Sequence, residues 1–341
     1  MSMRLALLAE ASNEIGTGHI VEIKALAHLF SERGGAPYIW VNSEAPYALL
    51  EGLPFSVATI PNFQSYNLES LALNIRAKHI RTVVTNFRAI QNEQVLVLKK
   101  HDIPVLCIDE WGRRHLDCDA VVNNSPITAY HAYTSTASEF KRCVGVSYLA
   151  LSEDYQSIHE TPRCHRGLIR SICISMGGVD RTGATIRLVS SILRYRTGID
   201  VHVILGSGFA YRQAFEDLLA STASASVVVH ENLPSLAQRF FDCDVGFTAG
   251  GNTLAELACV GTPAVVASED PHEDEQGQAF ERMGFGQWIG RGNEIDVERV
   301  HKALAQLEDA NQRNRQCQIG KSLVDGKGAS RILDVIEGLM L

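Results

Sequence analysis

The chain has 341 residues, of which 45% are hydrophobic and 21% are charged, a composition typical of soluble globular proteins. This length suits two domains of about 150 residues each. The net charge of −8 argues against a general nucleic-acid-binding surface, and no apolar run reaches the roughly 18 residues that a membrane-spanning helix requires.

The N-terminal segment and the cysteines both indicate a cytoplasmic protein. The apolar run that follows Arg4 is interrupted by Glu10, which makes it too short for a signal-peptide core. None of the eight cysteines forms a CxxC pair, and most lie within apolar stretches, so we expect buried, reduced thiols.

Short apolar runs alternate with longer amphipathic segments in the first half of the chain. Strands are predicted at Arg4–Leu8, Tyr38–Val41, Ser56–Thr59, Thr82–Thr85, Val105–Ile108 and Ala120–Asn123, which closes the series. Helices are predicted at His19–Arg33, Leu68–His79 and Asn92–His101. This alternation is typical of βαβ units, which form a parallel sheet covered on both faces.

The second half repeats this scheme. Strands are predicted at Ser171–Met176, Val201–Leu205, Val227–His230, Val245–Thr248 and Pro263–Ala267. Helices are predicted at Thr185–Arg194, Leu233–Phe241, Thr253–Cys259, Gln276–Met283 and Val297–Leu307. We therefore expect an α/β protein with domains at residues 1–150 and 171–325 and a linker region at 151–170. The tail, residues 326–341, is expected to contain a helix that could pack back on the first domain.

The first glycine-rich turn, Gly16-Thr17-Gly18-His19, opens the first predicted helix. A helix N-terminus presents unpaired backbone N–H groups and a partial positive charge, both of which favour phosphate. The same charge disfavours a cationic imidazole, so His19 could remain neutral and act as a general base. The alternative, a histidine that only satisfies a local backbone group, stays open.

The second turn, Gly250-Gly251-Asn252-Thr253, lies between a predicted strand and a helix, where glycine lets the backbone approach a phosphate closely. Thr253 and Glu256 have the spacing of a capping box, a purely structural interpretation that the spacing favours over a ribose-binding carboxylate. Gly177 and Gly178 begin a further strand-end turn that ends at Asp180, which could be an N-cap.

Two acidic segments are candidate sites. The run from Glu269 to Glu275 has no regular ligand spacing, so a solvated loop is favoured over a metal site. Asp109 follows a predicted buried strand, where ligands bind in open parallel sheets. No metal ligand set and no cofactor are expected from these patterns.

Several motifs occur together and in order along nearly the whole chain. They are Gly16-Thr17-Gly18-His19, Ile108-Asp109-Glu110, Gly145 to Leu151, Ser175 to Asp180, Gly250 to Glu256, and Asp325 to Ala329. In this order the sequence resembles the UDP-sugar hydrolase of the pseudaminic-acid pathway and the related spore-coat polysaccharide proteins. The turn at Gly250 is similar to that of the N-acetylglucosaminyltransferase that makes lipid II.

The resemblance implies a GT-B architecture, in which two Rossmann-like domains enclose a cleft. It implies a UDP-sugar substrate, with His19 as the base that activates water and the Gly250–Thr253 turn holding the diphosphate. Glu256 would lie near the ribose. Gly16, Gly18, Gly177 and Gly178 would also belong to the phosphate-binding turns, and the Gly177–Asp180 turn would line the cleft. Other residues would lie on the sugar side or line the cleft: Asp180, Tyr148, Asp109 and Gln276. No metal is implied, because helix N-termini and backbone donors can stabilise the leaving diphosphate.

The chain departs from the hydrolase pattern at three positions. Glu22 stands where the hydrolases carry arginine, and a carboxylate is a poor substitute for a guanidinium beside a diphosphate-sugar. Thr85 begins the stretch that matches their Asp-x-Tyr motif and lacks the carboxylate. His272 and Glu273 replace an Asn-Gln pair before the helix at Gln276. We therefore expect the nucleotide site to match the hydrolase pattern more closely than the sugar side does.

Three functions are compatible with these observations. The first is a metal-independent UDP-sugar hydrolase in bacterial surface-sugar biosynthesis of the nonulosonic-acid type. The second is a GT-B glycosyltransferase in which another hydroxyl group replaces water. The third is a nucleotide-sugar-binding protein without catalysis, which the changes at Glu22 and Thr85 keep open.

Overall fold

A computed structural model describes residues 2–10, 18–43, 50–60, 63, 65–88, 90–221, 226–231, 233 and 235–341. The chain divides into two compact units. Unit 1 comprises Met1–Glu153 together with Gly326–Leu341, and unit 2 comprises Asp154–Asp325. The expected tail, residues 326–341, is thus part of the first unit.

A parallel sheet forms the centre of unit 1. In the described part of the chain its strands are β1 (Arg4–Ala9), β2 (Ala36–Val41), β3 (Ser56–Thr59), β4 (Thr82–Asn86), β5 (Val105–Ile108), β7 (Ala120–Asn123) and β9 (Lys141–Val144). Their order is β3-β2-β1-β4-β5-β7-β9. The short strands β6 (Arg114–His115) and β8 (Tyr133–Thr134) pair separately. The first helices are α1 (Gly18–Glu32), α2 (Ser65–Ala77) and α3 (Asn92–Lys99).

Unit 2 has a second parallel sheet. Its described strands are β10 (Ser171–Ser175), β11 (Asp200–Leu205), β12 (Val227–Glu231), β13 (Val245–Thr248), β14 (Ala264–Ser268) and β15 (Gln287–Arg291), in the order β12-β11-β10-β13-β14-β15. Its helices are α4 (Glu153–Glu160), α5 (Ala184–Tyr195), α6 (Arg212–Ser221), α7 (Ala237–Asp242), α8 (Asn252–Val260), α9 (Pro271–Arg282), α10 (Val297–Leu307) and α11 (Ala310–Leu323).

Strand β1 shows why helices cover both faces of the unit 1 sheet. Leu5 and Leu7 join one buried cluster with residues of α1, while Ala6 and Leu8 join another with residues of α2 and α3. Successive side chains of a strand point to opposite faces, so an uninterrupted apolar run is buried on both sides. This explains why β1 is a continuous apolar segment.

The C-terminal helix α12 (Gly328–Leu339) packs against α1 within unit 1. Arg33 donates to Asp334 and to Ser330, in both cases over 2.7 Å. At the start of α12 a Cβ atom on Gly328 would lie 1.9 Å from the Leu149 carbonyl oxygen. Only glycine fits this approach of the returning chain.

Residues 151–170 do not form the irregular linker that the sequence predicts. Helix α4 occupies part of this segment and buries Tyr155. Beyond it, Arg163 donates to Thr262 over 2.7 Å and the His165 N–H donates to Asn314 over 2.8 Å. The polar residues that suggested a linker are therefore hydrogen-bonded to the body of unit 2.

The sequence also missed several elements: β9, β15, α6 and α11. Strand β9 carries lysine and arginine on its exposed positions and buries only Cys143. Helix α11 is rich in Asn, Gln and Arg and lacks an apolar stripe of helical period. Edge strands and strongly polar helices give little hydrophobic periodicity, which is the signal that such predictions use.

Candidate functional site

The histidine of the first turn lies at the start of α1 and is buried, with 6% of its surface exposed. Its Nδ1 lies 2.7 Å from Oδ1 of Asn86, the last residue of the neighbouring strand β4. Gly18 begins α1, whereas Gly16 lies outside the described residues. The order of the strands therefore brings His19 and Asn86 into contact although they are 67 residues apart in the sequence.

Glu22 fixes the orientation of this pair. Asn86 Nδ2 donates to Glu22 Oε2 over 2.7 Å, and Asn124 Nδ2 donates to the other oxygen over 3.0 Å. Because a carboxylate accepts but does not donate, the nitrogen of the Asn86 amide must face Glu22 and its oxygen must face His19. The Nδ1 of His19 therefore carries a proton, and in the neutral ring the lone pair is on Nε2.

The structure adds a role for Glu22 to the prediction that it lies on the sugar side. The residue ends a series of polar contacts, Glu22–Asn86–His19, that orients the imidazole. All three side chains are buried, with at most 6% of their surface exposed. A buried carboxylate is tolerated here because each of its oxygens accepts a hydrogen bond.

Thr85 lies on the opposite face of the sheet from Asn86. Its hydroxyl group lies beside the buried Cys107 thiol, and neighbouring side chains of a strand alternate between faces. The sequence-based choice of Thr85 therefore picked the wrong residue of the pair. The usable signal was the strand period, since Asn86 shares a face with Val84, which packs toward α1.

Glu10, at the end of β1, is a further acidic group that the sequence analysis did not select. Burial raises the pKa of Glu10, while the Arg88 N–H and the charge of a protonated His19 lower it. Its own N–H donates to the Asn86 carbonyl oxygen over 3.3 Å. Glu10 is therefore an acidic group whose electrostatic environment includes His19.

Asp109 is not a free carboxylate at the strand end. Its Oδ2 accepts hydrogen bonds from the Gly112 N–H (2.9 Å) and the Tyr133 hydroxyl (2.6 Å), and Oδ1 is paired with Arg114. The side chain has no exposed surface. Asp109 therefore holds neighbouring side chains in place.

Tyr148 packs against the hydrophobic cluster that includes residues of α12. Its hydroxyl contacts the Cys143 thiol of β9, and burial is the main cause that raises the pKa of Tyr148. Arg331 of α12 lowers this pKa. These contacts give Tyr148 a packing position within unit 1.

In unit 2 the turn after β13 leads directly into α8. Gly251 is the N-cap of α8, Asn252 is the first helical residue, and no side chain supplies a cap hydrogen bond. The predicted capping box of Thr253 and Glu256 is therefore wrong, because Thr253 already lies within the helix. No side chain caps this helix start, and helix N-termini present backbone N–H groups of the kind that bind phosphate.

The Glu256 carboxylate accepts a hydrogen bond from the buried Tyr155 hydroxyl of α4. Burial and the Glu256 charge raise the pKa of Tyr155 well above its usual range, so the phenol remains a donor. Tyr155 was missed because it lies in the segment interpreted as a linker. It holds Glu256 one turn into the helix that follows the glycine turn.

Gly250 makes room for the start of α9. A Cβ atom on Gly250 would lie 2.3 Å from the Glu273 carbonyl oxygen and 2.8 Å from the Glu273 Cα. The Glu273 carboxylate accepts from the Glu269 N–H over 2.8 Å and also from the Gly250 N–H. Burial nevertheless raises the pKa of Glu273. The glycine thus serves packing as well as any ligand.

The segment after β14 is not a solvated loop. Asp270 caps α9 by accepting from the Glu273 N–H, and Pro271 is the first helical residue. Burial, Glu273 and Asp180 raise the pKa of Glu269 to about 7, against the opposing effect of Arg181. Gln276, one turn along α9, contacts the His272 ring at 3.2 Å. The acidic segment Glu269–Glu275 therefore forms the N-cap and the first turn of α9, beside the glycine turn.

The turn from Gly177 to Asp180 follows β10. Gly177 has φ of 79°, a left-handed conformation that favours glycine. Both oxygens of Asp180 are engaged, accepting from the Ala184 N–H (2.9 Å) and the Thr185 N–H (3.0 Å) at the start of α5. The N-cap of α5 is nevertheless Gly183, so Asp180 is not the N-cap that the sequence suggested and accepts from the first helical N–H groups from three residues before it. The Gly178 carbonyl oxygen accepts from the Gly208 N–H over 2.9 Å.

One pocket among the described residues lies apart from His19, Asn86, Asp109 and Glu256. It has a volume of about 680 Å³ and lies beside the edge strand β15, lined by residues such as Trp288, Arg291 and Arg299. None of the described helices is long and apolar enough to cross a membrane.

Both units have the parallel α/β arrangement of a Rossmann fold, and the protein has the GT-B fold that the sequence predicts. The MurG structure of Acinetobacter baumannii superposes with a TM-score of 0.69 at 14% identity, covering 98% of this chain and 99% of MurG. No family model matches the chain.

The sequence is similar over its whole length to the spore coat polysaccharide biosynthesis protein SpsG of Bacillus subtilis. The two are 20% identical over 341 residues, covering 99% of this chain and 98% of the relative. Over 138 residues it is 28% identical to the UDP-N-acetylglucosamine--N-acetylmuramyl-(pentapeptide) pyrophosphoryl-undecaprenol N-acetylglucosamine transferase of Thiobacillus denitrificans, covering 38% of this chain and 36% of the transferase. The predicted resemblance to spore-coat polysaccharide proteins and to this type of transferase is confirmed.

Proposed function

We propose that the protein is a GT-B glycosyltransferase that uses a nucleotide-sugar donor in polysaccharide biosynthesis. Two similarities support this: one to a spore-coat polysaccharide biosynthesis protein along the whole chain, the other to an N-acetylglucosamine transferase over part of it. They favour transfer over the hydrolysis that the sequence analysis placed first.

The observation that carries the proposal is the Glu22–Asn86–His19 chain. It fixes Nδ1 as the protonated nitrogen of His19 and leaves Nε2 as the proton acceptor. In the proposed step an acceptor hydroxyl attacks the anomeric carbon and loses its proton to Nε2. The bond from that carbon to the diphosphate oxygen breaks, and the nucleotide diphosphate leaves with the electron pair.

Unit 2 would bind the nucleotide at the start of α8. The backbone donors of Gly251, Asn252 and Thr253 would face the diphosphate, whose charge also suits the positive end of the helix dipole. Glu256, held by Tyr155, would accept hydrogen bonds from the ribose. UDP as the nucleotide follows from the resemblance.

Hydrolysis remains the second candidate because the same base can take a proton from water. The motif order shared with the pseudaminic-acid-pathway hydrolase supports it. The two reactions differ only in the acceptor, so one assay separates them. The third candidate, binding without catalysis, predicts no UDP release with any acceptor.

The test follows UDP release from candidate UDP-sugars with and without sugar or lipid-linked acceptors. Release that requires an acceptor supports transfer, whereas steady release in water alone supports hydrolysis. In either case His19→Ala should lower the rate by about 10²-fold or more. His28→Ala, on an exposed position of the same helix, is the matched control. Full activity of His19→Ala would contradict the assignment of the base.

The nucleotide assignment has its own test. Glu256→Ala should weaken UDP binding, measured by calorimetry, more than it slows the step within the bound complex. Unchanged UDP affinity in this variant would remove Glu256 from the nucleotide site. Because binding is measured directly, this result does not depend on the identity of the acceptor.

A further inference from the structure

A second pocket of unit 1 is rich in arginine. Its volume is about 450 Å³, and it lies around the short strands β6 and β8 and the edge strand β9. The lining residues are Arg113, Arg114, His115, Ala132, Tyr133, Thr134 and Arg142. In a chain with a net charge of −8, three guanidinium groups around one pocket form a local excess of positive charge.

The three arginines are held in different ways. Arg113 lies over the Tyr130 ring at 5.4 Å and donates through Nε to the Ala129 carbonyl oxygen over 3.1 Å. Arg114 is paired with the buried Asp109. Arg142 is exposed and, among the described residues, has no hydrogen-bond or ion-pair partner. Asp109 pairs with Arg114, whereas Arg113 and Arg142 form no ion pair among the described residues.

His115 is already engaged on both ring nitrogens, with Thr134 Oγ1 at 3.0 Å and Asp117 Oδ1 at 2.8 Å. It therefore shapes the wall of the pocket. The available cations are the guanidinium groups, whose planar donor forks match the oxygens of phosphate.

We propose that this arginine pocket, lined by Arg113, Arg114 and Arg142, binds a phosphate or diphosphate group of the acceptor substrate. The proposal rests on the transferase function, since hydrolysis needs no acceptor other than water. The volume exceeds that of a single phosphate and leaves room for an attached group.

A continuous set of contacts connects this pocket with the proposed base. Asp109, which pairs with Arg114, accepts from the Tyr133 hydroxyl (2.6 Å), and that oxygen accepts from Asn123 Nδ2 (2.7 Å). The next residue, Asn124, donates to Glu22. These contacts connect the lining residues Arg114 and Tyr133 with the residues that orient His19.

The test measures binding of inorganic pyrophosphate by calorimetry, with UDP at saturation so that the glycine turn of unit 2 is occupied. Arg113→Gln and Arg142→Gln should each weaken pyrophosphate binding about 5- to 10-fold, and the double variant more. Arg76→Gln, on an exposed position of α2, is the matched control and should bind as the unchanged protein does. Both altered arginines are exposed, so the variants should fold, which thermal unfolding checks.

Two results would overturn the proposal. One is a wild-type protein that does not bind pyrophosphate at millimolar concentration, or a double variant that binds it equally well. The other is tighter binding of glucuronate than of pyrophosphate or inorganic phosphate, which would assign the pocket to a carboxylate. If UDP itself fails to bind, the nucleotide assignment fails, and the arginine dependence measured without UDP still decides this proposal.

Discussion

The two units prepare their candidate sites by different means. In unit 1, side chains from two strand ends and one helix converge, and Glu22 and Asn86 set the orientation of His19. In unit 2, the candidate donors are the backbone N–H groups of Gly251, Asn252 and Thr253, at a helix start without a side-chain cap, and the Glu273 carboxylate accepts from the preceding Gly250 N–H. A substitution of one side chain should disrupt the site in unit 1 directly. In unit 2 the donors belong to the backbone, so substitutions should change the site mainly through neighbouring side chains.

The largest expected effect comes from reversing the charge of Glu22, the last member of the Glu22–Asn86–His19 contacts in unit 1. Glu22→Arg restores the residue type that the hydrolases carry, yet here it would remove the acceptor of both Asn86 and Asn124. We expect UDP release to fall by about 10²-fold or more, since the orientation of the base is lost. Faster release in this variant would mean that Glu22 restrains the reaction.

The control for this change is Glu32→Arg, at the exposed end of the same helix. It makes the same alteration of charge without touching Asn86, so its rate should stay within about twofold of the unchanged protein. Thermal unfolding of both variants separates a loss of orientation from a loss of fold, because a buried arginine without a carboxylate is also destabilising.

A smaller effect, of opposite sign, is expected in unit 2. Glu273→Gln removes a negative charge beside the Gly250 N–H while keeping an acceptor oxygen. UDP should then bind about 3- to 10-fold more tightly, equivalent to roughly 1 kcal/mol. Calorimetry at pH 8 measures this, with the exposed Glu275→Gln as control. Weaker UDP binding in Glu273→Gln would show that the carboxylate itself contacts the ligand.

The pH dependence of the unfolding free energy tests the protonation of Glu269, which belongs to the same acidic segment. The pKa of Glu269 is about 7 in the folded protein, mainly because of burial, and lies well above the ordinary glutamate value of 4.5. The folded state therefore keeps a proton that the unfolded state loses between these values. Stability from this group is fully present below about pH 4.5 and is lost as the pH rises through 7.

The unfolding free energy should accordingly fall by about 1–2 kcal/mol between pH 5 and 8, and Glu269→Gln should flatten this part of the profile. Denaturant titrations at several pH values measure it. Glu298→Gln, on an exposed position of α10, should leave the slope unchanged. A profile that keeps its slope in Glu269→Gln would assign the titration to another group.

The sequence predicted the fold better than the site. Strands Ser56–Thr59, Val105–Ile108, Ala120–Asn123 and Val245–Thr248 have the predicted bounds, because they are apolar segments flanked by turns. Elements with little periodicity, such as β9 and α11, were missed. Helix α9 was predicted to begin at Gln276, whereas the Asp270–Pro271 cap starts it five residues earlier.

For the site, sequence reasoning found the residues that motifs contain and missed the partners that only folding supplies. His19 and Glu256 were selected, but Asn86 and Tyr155, which contact them, come from other elements. Asp109 and Asp180 were selected as carboxylates at strand ends, and the structure engages both in local hydrogen bonds. Spacing along the chain does not report such partners, because they are distant in sequence.

The smallest expected effect concerns Thr85, which is compared with Asn86 on the opposite face of the same strand, β4. Thr85→Val keeps the size and β-branching of a fully buried side chain and removes a hydroxyl that lies beside Cys107, on the face away from His19. UDP release should stay within about twofold, and the unfolding free energy within about 1 kcal/mol.

The adjacent substitution Asn86→Leu is the matched comparison, since it alters the next residue of the same strand on the opposite face. It removes both the acceptor of His19 Nδ1–H and the donor to Glu22, so UDP release should fall by roughly 10- to 100-fold while UDP affinity is retained. The pH profile of the rate should also change, because the imidazole is no longer held in one tautomer. Equal losses in Thr85→Val and Asn86→Leu would mean that the strand end acts only through its packing, and that the polar chain to His19 does not direct the reaction.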